Sequence, residues 1–249
     1  MMDAQVVFQA TLWSLASGSA LMIGALVAVL VDLPERVIGM ALGSAAGVLI
    51  STVSVGLAAE AIASGPNTLA IGLAAGSLVY FGGAWLIDRA GGGHRLCTTA
   101  DREERKASTI VYGTVLDGVP ESLAIGISLL AGGAVGLPLV AAVFLSNLPE
   151  SMAATTSMRR AKQSIARVFA VWAAVVLATS GASAVGYVLL GTAFPESLGL
   201  VQAFAGGAIL TMVTHTVLPE AFDHGGRATS LFTTLGFAAA FIFSAIWAG

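Results

Sequence analysis

Two short segments of the chain resemble each other and place carboxylates inside apolar stretches. They read Asp117-Gly118-Val119-Pro120-Glu121-Ser122 and Ser146-Asn147-Leu148-Pro149-Glu150-Ser151. An ionisable side chain at the centre of a bilayer costs about 2.5–3.5 kcal/mol on insertion scales, so such residues usually face a polar pathway or bind a cation. Because a Pro-Glu pair recurs in two neighbouring stretches, the sequence predicts one shared site.

The spacing within each segment places its polar side chains on one face of a helix. Asp117 and Glu121 are four residues apart, and Ser146 and Asn147 lie four and three residues before Glu150. Residues three or four apart are neighbours on a helix surface. Three carboxylates packed in a low dielectric repel one another and take up protons unless a cation neutralises them. A divalent metal does so with carboxylate, amide and carbonyl oxygens as ligands. The alternative is a protonated structural cluster.

The two prolines add to the polar character of this level. Pro120 and Pro149 each remove a backbone hydrogen bond one residue before a glutamate. The freed carbonyls, at positions such as Leu116 and Leu145, are further candidate oxygen ligands, or they admit water.

Composition predicts an all-α polytopic membrane protein with one transmembrane domain over residues 1–249. The chain is 57% hydrophobic and 10% charged, with a mean hydropathy of +0.90, whereas ordinary soluble domains carry about 25% charged residues. The net charge of −3 gives no support for a nucleic-acid partner. A single cysteine, Cys97, excludes an intramolecular disulfide. No cleavable signal is evident, because no basic region precedes the first apolar segment.

Apolar stretches long enough to cross a bilayer predict eight spans. Their expected limits are 6–30, 36–62, 67–88, 107–131, 135–158, 163–191, 197–221 and 228–248. The segment 89–106 is expected to form a cytoplasmic loop. The break at Gly132-Gly133 is the least polar, so six or seven spans are the alternatives.

The basic residues set the predicted orientation. With eight spans, all eleven Lys and Arg residues fall on one side, which the positive-inside rule makes the cytoplasmic side. Both termini are then extracytoplasmic. Lys106 lies eleven residues before Asp117 and Arg159 twelve after Asn147, about 16 and 18 Å of helix. Since the fourth span runs outward and the fifth inward, the two segments are predicted to meet near the midplane.

At these residues the chain resembles the ZIP family of divalent-metal transporters. That family carries His-Asn-x-Pro-Glu-Gly in its fourth span and a related Asp/Asn-x-Pro-Glu-Gly motif in its fifth. A seventh span with a His before a Pro-Glu ending is matched here by His215 and the pair Pro219-Glu220. The resemblance covers residues 10–248 and implies a 3+2+3 arrangement of the helices. It also implies a multi-pass protein of the cell membrane, of the bacterial inner-membrane type, and a possible homodimer.

The chain departs from that family at several motif positions. Asp117 stands where the family has His, Gly118 where it has Asn, and Ser122 and Ser151 where it has Gly. The loop after the third span holds only His94. The metal ligands implied by the resemblance and the spacing together are Asp117, Glu121, Ser146, Asn147, Glu150 and His215. Without an imidazole at the first position, the ligands are mainly oxygens, which weakens a strict preference for zinc.

Three functions are compatible with these patterns. The first is transport of a divalent metal of the Zn, Mn, Fe or Cd class toward the cytoplasm through a midplane site between the fourth and fifth helices. The second is transport of protons or organic cations on a ZIP-like scaffold. An intramembrane hydrolase is the third, but the motifs of serine and aspartyl intramembrane proteases are missing. The protein is therefore not expected to be an enzyme or to hold a resident cofactor, and its partners are the metal ion and the lipid bilayer.

Overall fold

The computed structural model describes residues 4–91, 99–129, 136–193 and 198–247. These ranges are helical throughout, apart from short turns, and contain no strand. They form eight long helical segments: α1 (Ala4–Leu30), α2 (Glu35–Ile62), α3 (Pro66–Gly91), α4 (Thr99–Ser128), α5 (Leu137–Arg160), α6 (Ile165–Ala193), α7 (Leu198–Gly225) and α8 (Ala228–Trp247).

Seven of these helices, all except α4, are long and apolar enough to cross a membrane. Helix α4 has the length, but it carries a charged run near its start and Asp117 and Glu121 further along. The protein is thus an all-helical, polytopic membrane protein. The charged half of α4 is the physical reason that this helix differs from the others.

The helices extend further into the predicted loop 89–106 than the sequence indicated. Helix α3 ends at Gly91 and α4 begins at Thr99, so the loop prediction was too long at both ends. Between Thr99 and Tyr112 there is no Gly or Pro, and the charges at 101–106 suit a solvated helical turn. Residues 92–98, which include His94 and Cys97, lie outside the described residues, as do the predicted breaks at Gly132-Gly133 and Phe194-Pro195-Glu196.

Packing divides the helices into two bundles. The first bundle contains α1, α4, α5 and α6, and the second contains α2, α3, α7 and α8. The bundles meet where α5 packs on α2 and where α4 packs on α3 and α7. The two helices with the Pro-Glu segments therefore belong to one bundle and face the other.

Small residues let the helices of the first bundle approach closely around the Pro-Glu segments. A Cβ atom on Gly118 would lie 2.6 Å from the Cγ2 of Thr179 in α6, and one on Gly24 in α1 would collide with the Oγ of Ser151 in α5. Close contact of backbones through glycine is a common way of packing membrane helices. Gly118 thus has no room for a side chain unless Thr179 shifts.

Helices α2 and α7 each contain one wide π-helical turn, at Val53–Leu57 and Val213–Val217. Such turns insert an extra residue into an α-helix and occur frequently at functional sites. The turn in α7 contains His215 and Thr216, two residues that face the polar region described next.

Candidate cation site

The Pro-Glu segments of α4 and α5 lie side by side in the first bundle. The Ser146 hydroxyl lies 3.0 Å from Oε1 of Glu121 and donates a hydrogen bond to it, so the two helices are joined at this level. The five predicted polar residues of these segments are all buried: Asp117, Glu121, Ser146, Asn147 and Glu150. Both prolines lie inside continuous helices.

Helix α1 contacts the site from within the first bundle. The Asn147 side-chain amide donates a hydrogen bond to the backbone oxygen of Ser17 at 3.3 Å. The hydroxyls of Ser14 and Ser122 are also 3.3 Å apart. These contacts fix the position of Asn147 and of the residue after Glu121 against the same bundle.

Asp117 is held from the second bundle. The Tyr80 hydroxyl in α3 donates a hydrogen bond to its Oδ1, and the Thr216 hydroxyl in α7 lies 3.4 Å from its Oδ2. The side chain of Tyr80 is itself buried. Both carboxylate oxygens of Asp117 are therefore in contact with hydroxyl groups across the bundle interface.

Glu150 has a buried carboxylate oxygen, Oε1, with no hydrogen-bond partner. Its carboxylate lies close enough to Glu121, Asp117 and Glu220 for their charges to interact. A buried polar atom without a partner costs about 1–3 kcal/mol, more when it is charged. A proton or a bound cation would relieve this cost. Glu150 is therefore a carboxylate that still needs a partner for one of its oxygens.

A cavity of about 240 Å³ leads away from Asp117 and Glu150. Its other walls come from α3, α4 and α7 at Tyr80, Ala84, Ile87, Gly113, Thr114, Leu116, His215, Thr216, Val217 and Glu220. On these helices the lining extends from the level of the carboxylates toward the basic ends, which carry Arg89 in α3, Arg105 in α4 and, just after α7, Arg227. The cavity thus connects the carboxylates with the basic face of the protein.

His215 lines this cavity and does not belong to the buried carboxylate group. Its side chain is exposed, and its ring makes edge contacts with Tyr80 and Phe81 at centroid distances of 6.4 and 6.3 Å. Glu220, from the Pro219-Glu220 pair, lines the same cavity. These two residues flank the path from the carboxylates to the basic face.

The carboxylates do not form a ready-made ligand cluster. Across the described ranges, no group of three or more His, Cys, Asp and Glu side chains converges as a metal site would require. Asp117, Glu121 and Glu150 are therefore neighbours at one level whose side chains would have to move together to share an ion.

Sequence reasoning missed Tyr80 and gave Thr216 no role. Tyr80 is one of only three tyrosines in the chain, and it lies nine residues before Arg89. That is about 14 Å of helix, close to the depth predicted for Asp117. A phenol hydroxyl at matched depth was the available signal. Nothing in the sequence indicates the π-helical turn that presents Thr216.

Comparison with known proteins adds no assignment. No protein-family model matches the chain, and a search of curated proteins found no match. Function must therefore be argued from the site.

Proposed function

We propose that the protein is a transporter of divalent metal cations, and that Asp117, Glu121, Asn147 and Glu150 form its transport site. The observation that carries this proposal is the buried, unpartnered oxygen of Glu150 beside Asp117, at the inner end of a cavity. Three buried carboxyl groups at one level are stable only when protonated or balanced by a cation. The cavity supplies a route by which such a cation reaches or leaves them.

The proposed topology has eight spans, with α4 as the fourth. Helix α4 packs against α1, α5 and α6 on one side and α3 and α7 on the other. Its polar face is therefore enclosed by protein, which lets a less apolar helix cross a bilayer. The basic face is then cytoplasmic and both termini are extracytoplasmic, in agreement with the positive-inside rule.

Two cavities, of which one reaches the carboxylates and the other does not, support transport by alternating access. Besides the cavity at Asp117, a second one of about 200 Å³ lies at the opposite end, where Glu60 and Gln202 contribute to its lining. Its walls include none of the three carboxylates, and Ile125 and Ile209 are fully buried between the two levels. A transporter whose site faces the basic side, with the other side closed, would have this arrangement.

The ZIP resemblance is part of the proposal. It rests on the paired Pro-Glu segments and on the His215 and Pro219-Glu220 pattern in α7. The contact between Ser146 and Glu121 supports it, because it joins the two motif-bearing helices. Asp117 in place of His makes manganese, iron and other ions that accept oxygen ligands stronger candidates than zinc alone.

Transport of protons or organic cations is the second candidate. Its specific support is the absence of a converged ligand cluster within the described residues. Carboxyl groups that stand apart can exchange protons one at a time without sharing a metal ion. The cavity, at about 240 Å³, also has room for a small organic cation.

Flux measurements in proteoliposomes test the proposal. The wild type should carry Mn²⁺, Zn²⁺ or Cd²⁺, and Glu121→Gln and Glu150→Gln should each abolish the flux, because the two carboxylates share one ion. The double variant should be no worse than either single one. Asp32→Asn, at an exposed position between α1 and α2, is the control and should transport normally. Proton flux without metal flux would instead support the second candidate.

A further inference from the structure

Some hydrogen bonds of the site lie within the first bundle, and others join the first bundle to the second. Glu121 is bound by Ser146, and Asn147 by Ser17, and all of these residues belong to the first bundle. Asp117 is the exception, since its partners Tyr80 and Thr216 belong to the second bundle. Of the site's hydrogen bonds described above, only those of Asp117 cross the interface between the bundles.

We propose that Tyr80 competes with the transported cation for Asp117, so that cation binding releases a hydrogen bond that ties the two bundles together. Tyr80 is then a residue that sets cation affinity and links it to the contact between the bundles. This inference rests on the proposed function, since it takes Asp117 to be a cation ligand.

The hydroxyl of Tyr80 hinders cation binding to the carboxylate of Asp117, because the contact between them is direct and buried. It donates its only proton to Oδ1 of Asp117, and both side chains are shielded from water. A hydrogen bond to a charged group contributes more than one between neutral groups. A divalent cation draws electron density from the same oxygen and repels the hydroxyl proton that points at it. Cation binding and the Tyr80 hydrogen bond therefore weaken each other at Oδ1.

Thr216 has a secondary part in this competition. Its hydroxyl lies 2.7 Å from the backbone oxygen of Met212 and 3.4 Å from Oδ2 of Asp117. A hydroxyl has one proton to donate, and the shorter contact takes the larger share of it, so the hydrogen bond from Thr216 to Oδ2 is weak. Oδ2 is consequently the less hindered oxygen, the one at which a cation arriving through the cavity can first bind before Tyr80 is displaced.

The hydrogen bond between Tyr80 and Asp117 also explains why the carboxylates do not converge in this structure. While Tyr80 holds Asp117, the Asp117 side chain is drawn toward α3 and away from sharing an ion with Glu150. Release of Asp117 frees it to turn toward Glu150, whose Oε1 has no partner. Completing the ligand set and loosening the bundle contact are then one event.

Calorimetric titration of the purified full-length protein with Mn²⁺ tests this inference. Tyr80→Phe removes the hydroxyl and keeps the ring beside His215. Because a hydrogen bond to a charged group is lost as a competitor, its Kd for Mn²⁺ should fall about tenfold. Thr216→Val should lower the Kd by a smaller factor, roughly two- to threefold. Tyr187→Phe, which removes a phenol hydroxyl from α6, is the matched control and should leave the Kd unchanged.

Thermal unfolding of the same proteins gives an independent measurement. Tyr80→Phe should lower the Tm without metal, because the link between bundles is lost. Saturating Mn²⁺ should raise its Tm by more than it raises that of the wild type, in proportion to the tighter binding. A residue that merely packs would lower both values together.

One result would overturn the inference while leaving the transport proposal intact. Wild type that binds Mn²⁺, together with a Tyr80→Phe variant that binds it equally or more weakly, would show that Tyr80 positions Asp117 and does not compete. If Tyr80→Phe does not fold, Thr216→Val decides by the direction of its smaller change. A wild type that binds no Mn²⁺, Zn²⁺ or Cd²⁺ would remove the proposed function itself, and the inference with it.

Discussion

The Ser146 hydroxyl stands 3.0 Å from Oε1 of Glu121, and it is equally far from the backbone oxygen of Val143. The first residue of one Pro-Glu segment thus contacts the last acid of the other. Ser146 is fully buried, so no water replaces it as a partner of Glu121. This one side chain links α4 and α5 by a hydrogen bond at the candidate site.

Replacing Ser146 by Ala should therefore weaken both fold and site. Oε1 of Glu121 would be left buried without the partner seen here, at a cost of about 1–3 kcal/mol. We expect a lower Tm in detergent and a weaker affinity for divalent cations. Ser19→Ala is the control, since the Ser19 hydroxyl is exposed and bonds only within its own helix. Equal Tm values for the two variants would contradict the role given to Ser146.

The proximity of the two Pro-Glu segments could be predicted from the sequence. Helical spacing placed Asp117 with Glu121 and Asn147 with Glu150, and the distance to the basic residues placed both pairs at one depth. Each of these arguments uses only the rise and period of a regular helix. The structure does bury all four side chains at the contact between α4 and α5.

Contacts between helices that are distant along the chain could not be predicted from the sequence. Tyr80 reaches Asp117 because α3 and α4 pack at a particular rotation, and one sequence carries no record of that rotation. The π-helical turn at Val213–Val217 shifts the face of α7 within a single turn, which a regular period of apolar residues cannot reveal. The sequence indicated the polar residues of the first bundle and His215 of the second, and it missed the contacts of Tyr80 and Thr216 with Asp117.

Gly118 should not tolerate a side chain. In Gly118→Ala the new Cβ would lie 2.6 Å from Cγ2 of Thr179, and overpacking of this kind costs about 1–3 kcal/mol. We expect a lower Tm, measured by thermal unfolding in detergent. Thr179→Ser in the same protein removes the clashing methyl group and should restore most of the loss.

A matched control for this variant lies in the facing helix. Gly181 has no atom within 4 Å of its would-be Cβ. Gly181→Ala should leave the Tm unchanged or raise it slightly, because Ala favours a helix over Gly by about 1 kcal/mol. If Gly118→Ala were as stable as Gly181→Ala, the close contact of α4 with α6 would be refuted.

The eight-span topology predicts opposite exposure for two polar positions. In a Cys97→Ser background, a cysteine at Asn67 should react with an impermeant maleimide on intact cells, because this topology places the start of α3 on the extracytoplasmic side. A cysteine at Lys162, after α5, should react only once the membrane is permeabilised. Both native side chains are exposed. If α4 did not cross the membrane, the two positions would lie on one face and would label together.

The last prediction concerns the choice of metal. Asp117→His replaces a carboxylate by an imidazole. Carboxylate suits Mn²⁺ and Mg²⁺, whereas imidazole favours Zn²⁺ and its softer neighbours. The ratio of Zn²⁺ to Mn²⁺ flux in proteoliposomes should therefore rise. Total affinity for Mn²⁺ should fall, because the site loses one negative charge. If Asp117 were instead a proton-linked gate, the variant would change the pH dependence of flux and leave that ratio alone. Measuring the ratio at two pH values in wild type and variant separates the two roles, and an unchanged ratio would remove Asp117 from the ligand set.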